Sequence, residues 1–163
     1  APRVAREAGL TNEAGWVPVD PKTLATRYER VYAIGDVAAI PIPGRWKSDV
    51  PLMLPKAGVF AHAQAKVVAR RIAAEITGAS TPAEFSGDGY CMLETGEGLA
   101  GFAFGNFFAA PSPQVELRQL GRVWHWGKVL FEQWWLAPPG LKRQALHLAL
   151  SVGARWSGTP FAA

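Results

Sequence analysis

With 163 residues and 49% hydrophobic content, the chain is long enough for one cored domain and is globular, not disordered, in composition. A net charge of +4 permits contact with nucleic acid or anionic lipid, but the basic residues are scattered and never alternate with aromatics along a strand, so no nucleic-acid partner is expected. No apolar run is long enough to span a bilayer, the single cysteine precludes an internal disulfide, and that cysteine with three separated histidines matches no metal-ligand spacing, so no metal is expected.

The first informative element is Val31-Tyr32-Ala33-Ile34, four apolar residues that suit a short buried strand. It runs into Gly35-Asp36, where a glycine lets backbone approach a ligand and a carboxylate at the strand's carboxyl end accepts hydrogen bonds from sugar hydroxyls. Nineteen residues after Asp36, Pro55-Lys56-Ala57-Gly58 opens a helix expected to run to Thr77 and to stop at Gly78. Along it His62, Lys66 and Arg70 fall on one side and Gln64, Arg71 and Glu75 on another. Two apolar stripes remain, Phe60, Ala63, Val67 and Ala74, and Ala61, Ala65, Val68, Ala69, Ile72 and Ile76, so packing is expected on two sides. Small residues at Ala57, Gly58 and Ala61 allow close approach to the helix's amino end, with its unpaired N–H groups and positive dipole character.

Ala79-Ser80-Thr81-Pro82-Ala83 reads as a linker. Tyr90–Glu94 and Leu99–Phe108 read as strands joined by the tight loop Thr95-Gly96-Glu97-Gly98, with a third strand at Gln114–Leu117, a small antiparallel sheet serving as a platform behind the helix. Five of the seven tryptophans crowd the last quarter. There Trp124–Leu136 and a second helix from Leu141 to about Val152 form a helical hairpin around Pro138-Pro139-Gly140. On the second helix Leu141, Ala145, Leu148, Ala149 and Val152 form one stripe, with Leu146 and Leu150 outside it beside Arg143 and His147. Tryptophans and leucines beside Lys142, Arg143 and Arg155 fit a pair of helices lying on a membrane, and equally a hairpin that covers the sheet or a dimer contact.

The run Gly15-Trp16-Val17-Pro18-Val19-Asp20, Thr23–Thr26, Val31–Asp36, Pro55-Lys56-Ala57-Gly58 and Ala61 resembles the sulfide:quinone oxidoreductase and flavocytochrome c sulfide dehydrogenase group of the pyridine nucleotide-disulfide oxidoreductases, which also hold the type II NADH dehydrogenases. The resemblance is dense over the first half of the chain and thin beyond it. It implies an FAD-dependent oxidoreductase that passes electrons from a sulfide-type reductant to quinone or another acceptor. Gly35 and Asp36 would lie by the ribityl chain, and Lys56, Ala57 and Gly58 by the flavin ring, with the Lys56 cation stabilising the anionic reduced form. The alternative for Lys56 is a first-turn lysine in solvent.

Cys91 sits about where that group carries one of two redox cysteines, its partner lying elsewhere in the parent protein. The alternative is a small buried hydrophobe on a strand, and neighbouring Glu94 would raise the thiol's pKa. A type II NADH dehydrogenase would need no thiol there. His62 and His147 read as solvent-facing or hydrogen-bonded core residues.

Such enzymes have two Rossmann-like domains, the first opening on Gly-x-Gly-x-x-Gly, and this chain has no such turn; Gly98, Gly101 and Gly105 are wrongly spaced. The expected fold class is therefore α+β, the carboxyl-terminal fragment of a two-Rossmann-domain flavoprotein. Residues 1–30 would end the NAD-like domain and cross to the FAD domain, 31–78 would complete the FAD domain, and 79–163 would hold the sheet and amphipathic helices. Such a fragment needs the amino-terminal Rossmann portion as a partner and is expected to be inactive alone, or to act only in membrane or protein docking. A truncated sheet is also open to edge pairing and homo-oligomerisation. Quinone-reducing relatives are monotopic, which implies a peripheral place on the cell membrane, side unset, with a cytoplasmic place as the alternative.

Overall fold

The computed structural model describes residues 1–79 and 83–160, so the linker reading falls largely outside the described residues. Elements follow in chain order: helix α1 (Arg3–Glu7), strand β1 (Val17–Pro18), a 3-10 turn (Gly35–Val37), β2 (Ala38–Ala39), β3 (Pro41–Lys47), β4 (Val50–Met53), α2 (Gly58–Thr77), β5 (Asp88–Gly96), β6 (Leu99–Asn106), β7 (Gln114–Gly121), α3 (Arg122–Leu136) and α4 (Leu141–Ser157). They form two compact units, Ala1–Asp88 with Asn106–Gln114, and Gly89–Gly105 with the chain from Val115 onward.

In the first unit β1 pairs with β2 in parallel, Val17 opposite Ala38 and Pro18 opposite Ala39. The core gathers Leu24, Ala38, Ile40, Ile42, Leu54, Phe60, Val67 and Phe85. Edge-on ring contacts of Phe60 with Phe85 and Phe107 lock α2 against the segment that follows it. Leu24 is fully buried at φ +63°, a backbone region that leucine rarely adopts. Asp20 stabilises this bend: its carboxylate accepts from the Lys22 and Thr23 amides, and its carbonyl accepts from the Leu24 amide.

Val31–Ile34 does not form the expected buried strand. Its backbone pairs with the Leu24–Thr26 segment through a single bridge, Tyr32 to Ala25, and all four residues are half-buried. One short neighbour is too little to make a ladder. Between Asp36 and Pro55 an unanticipated antiparallel hairpin appears, β3 with β4. Pro41, Pro43 and Pro51 argue against strands in sequence, and two register shifts accommodate them.

Helix α2 has the expected end, with Gly78 as a left-handed cap at φ +70°. The second apolar stripe is packed only in its amino-terminal half, where Ala61 approaches Gly35 and Val68 meets the core. Phe60, Gln64 and Val67 are buried, whereas Ile72 is 41% and Ile76 79% exposed.

The second unit holds the three-stranded sheet β5-β6-β7. Its connections, two residues and seven residues long, are too short for parallel crossovers, so the strands run antiparallel. Phe102 is fully buried, stacked between Tyr90 and Trp124 at 5.6 and 5.2 Å, and packed with Leu150 and Ala154. Helices α3 and α4 form the expected hairpin, and α4 continues to Ser157. The stripe expected to pack on α4 is instead its exposed side: Leu141 is 85%, Leu148 65% and Val152 58% exposed, while Leu150 and Ala154 are buried. The helix is turned so that its smaller apolar set meets the aromatic core, since Phe102, Trp124 and Phe131 already fill most of that space.

Candidate functional site

The Gly35–Val37 turn and the amino end of α2 are built as one piece. Gly35, at φ +67°, donates its amide to Oε1 of Gln64 at 2.6 Å, and Gln64 is 1% exposed. A Cβ added to Gly35 would lie 3.3 Å from the Cβ of Ala61, so glycine is required both for the backbone and for the approach. Gln64 was assigned to a polar side in sequence, yet it follows Phe60 by four residues and precedes Val67 by three, and it belongs to their buried stripe. That spacing was the available signal; a lone glutamine within an apolar stripe marks a buried polar partner.

Gly35, Asp36, Lys56 and Ala57 line one crevice with Ala38, Leu54 and Gln64. It encloses only about 10 Å³, room for a water. Asp36 is exposed and makes no hydrogen bond among the described residues. Helix α2 has Ala57 as its N-cap with no side-chain cap, and its first bonded amides are those of Phe60 and Ala61, to the Ala57 carbonyl. The Gly58 and Val59 amides are thus left as donors, and nothing lies within 4 Å of where a Gly58 Cβ would stand.

Lys56 follows neither sequence reading in full. Its ammonium donates to the Ala38 carbonyl and lies over the Trp16 ring, 4.9 Å from the centroid. Burial lowers its pKa below the ordinary lysine value, and the Asp36 carboxylate opposes that shift. The cation is held at the crevice instead of trailing in solvent.

Cys91 belongs to the second unit, on β5. It is exposed, contrary to the buried alternative. Strand alternation explains this, since Tyr90 and Met92 turn to the Phe102 cluster and Cys91 to the opposite face. Glu94 lies on the face of Tyr90 and Met92, away from the thiol. Its carboxylate meets His125 Nδ1 at 3.1 Å and Lys128 Nζ at 3.6 Å, and the His125 hydrogen bond foremost lowers its pKa. His125, unweighed in sequence, is thus the histidine that ties α3 to the sheet. His62 is exposed, and the His147 ring lies 5.6 Å from that of Trp134.

No protein-family model matches the chain. Among solved structures it is similar to the sulfide:quinone oxidoreductase of the hyperthermophilic bacterium Aquifex aeolicus, with 28% sequence identity and a TM-score of 0.69 over 83% of this chain. The chain spans about a third (32%) of that protein's length. The described residues therefore have an α+β, sulfide:quinone oxidoreductase-like fold, and the solved structure that they resemble is an oxidoreductase.

Proposed function

We propose that this chain is the carboxyl-terminal part of an FAD-dependent oxidoreductase of the sulfide:quinone oxidoreductase type, within the wider pyridine nucleotide-disulfide oxidoreductases, with a sulfide-type donor and quinone or another acceptor. The observation that carries the reading is the joint between the Gly35–Val37 turn and the amino end of α2. Through Gln64 it sets the exposed Asp36 carboxylate and Lys56 on one small crevice, next to the uncapped amino end of α2.

FAD, when bound, would supply the two-electron transfer to the acceptor. Asp36 would accept hydrogen bonds from ribityl hydroxyls, and the Gly58 and Val59 amides and the Lys56 ammonium would stabilise the negative charge that develops on the ring upon reduction. The observed geometry fits the group: Gly58 leaves the approach open, and the donors and the cation have the right sign for an anionic edge. Cys91, exposed on β5, is the proposed redox thiol, working with a second thiol elsewhere in the parent protein. A type II NADH dehydrogenase-like parent is the alternative, and loss of sulfide oxidation on Cys91→Ser in the whole parent protein separates the two.

Exposed apolar residues on α4 support a second part of the reading, peripheral membrane contact by the helical hairpin. Leu141, Leu148, Val152 and Trp156 are all more than half exposed, with Lys142 and Arg155 on the same helix. Among the described residues no helix is long and apolar enough to cross a membrane. The flavin reading is tested by visible absorbance of the purified chain after incubation with FAD. Expected is a retained, shifted flavin spectrum that Asp36→Ala weakens; a spectrum identical to free FAD at every concentration counts against a site in these residues.

A further inference from the structure

We propose that Trp16 is a positioning residue of the flavin site: its indole face and the Ala38 carbonyl together hold the Lys56 ammonium at the crevice beside Asp36, pointed for a ligand oxygen. This rests on the flavin reading and adds to it a residue from the far amino end of the unit. Lys56 directly precedes Ala57, the N-cap of α2, and a cation close to a helix's amino end is disfavoured by the dipole, so something must offset its cost there. Two groups do so, the carbonyl of Ala38 and the ring of Trp16 at 4.9 Å. They arrive together because Trp16 directly precedes Val17, which pairs with Ala38 across the β1-β2 sheet. The Trp16 backbone is fixed in turn by Asn12, whose Oδ1 accepts from the Trp16 amide at 2.9 Å and whose amide donates to the Trp16 carbonyl at 2.8 Å. An ammonium has three N–H donors. One is used on Ala38 and the ring covers one side, which leaves one donor for a ligand. Asp36 is the charged side chain that acts on this cation.

The test uses the purified chain labelled with ¹³C-lysine, the Lys56 signal being assigned with Lys56→Arg, and FAD as the probe ligand. In the wild type the Lys56 Hε resonance is expected upfield of the other lysines because of the Trp16 ring. Trp16→Leu should move it back among them, and Trp16→Phe should restore part of the displacement. The Kd for FAD is expected to weaken about three- to tenfold in Trp16→Leu, the range of one partly desolvated cation–π contact, and to recover partly in Trp16→Phe. Lys56→Met, which leaves Trp16 in place, should lose a similar factor, and the double variant no more than either alone. Additive losses, or wild-type FAD affinity in Trp16→Leu, would overturn the proposal. An upfield Lys56 signal without any FAD binding by the wild type would remove the flavin reading and this role with it, while the Trp16–Lys56 pair would stand.

Discussion

Replacing Gln64 by leucine removes the acceptor of the Gly35 amide while keeping the side chain's bulk in the core. Gln64 is 1% exposed and its Oε1 lies 2.6 Å from the Gly35 nitrogen, so in the variant that N–H loses its protein acceptor. Leaving a buried donor unpaired costs about 1–3 kcal/mol, and isosteric replacement avoids a cavity cost of its own. Because Gly35 is half-buried, water can reach the freed amide in part, which places the expectation in the lower half of that range. The cost falls on the turn before it falls on the whole fold, so the assay is hydrogen exchange at the Gly35 amide by NMR. A loss of 1–2 kcal/mol corresponds to about 5- to 30-fold faster exchange at Gly35. Amides in the middle of α2 should change little. Unchanged exchange at Gly35, with unchanged stability, would refute the claim that Gln64 couples the turn to the helix.

Gly35→Ala should cost about 1–2 kcal/mol for the left-handed backbone alone, with the 3.3 Å approach to Ala61 added, and should lower the denaturation midpoint of the first unit. Glu94 has a lowered pKa in the fold, so its contribution to stability is present above its ordinary value of 4.5 and is lost as pH falls below it. Acid titration followed by tryptophan fluorescence should accordingly show a transition in that window that Glu94→Gln flattens; an unchanged acid profile in the variant would contradict the assignment. Leu148→Glu, on the exposed side of α4, should reduce cosedimentation with anionic phospholipid vesicles without changing helical circular dichroism. Equal sedimentation of wild type and variant would remove α4 from the membrane reading.

Much of the second unit was legible because its cues are local. Gly96 to Gly98 mark a tight turn, whereas the strand expected over Leu99–Phe108 ends at Asn106, since Phe107 and Phe108 pack on the first unit's core. Helix α2 was legible from its glycine stop. The orientation of α4 was not, because Leu148 and Leu150 are equally apolar and only the filled aromatic core decides which of them packs. The β3-β4 hairpin was hidden by its prolines, which register shifts accommodate. At the site, Gly35, Asp36, Lys56 and Ala57 were found in sequence and do line one crevice. Gln64 and Trp16 were overlooked as its supports, since each acts across a long stretch of chain: Gln64 is 29 positions from Gly35, and Trp16 meets Lys56 only because β1 pairs with β2.

The most direct measurement is an amide NMR titration of the chain with FAD. The account predicts that the Gly35, Asp36, Gly58 and Val59 signals shift together and saturably, and that Asp36→Ala weakens the response. Shifts confined to other residues, such as the tryptophans of α3, with these four signals unmoved, would contradict a flavin wall built from the Gly35 turn and the amino end of α2.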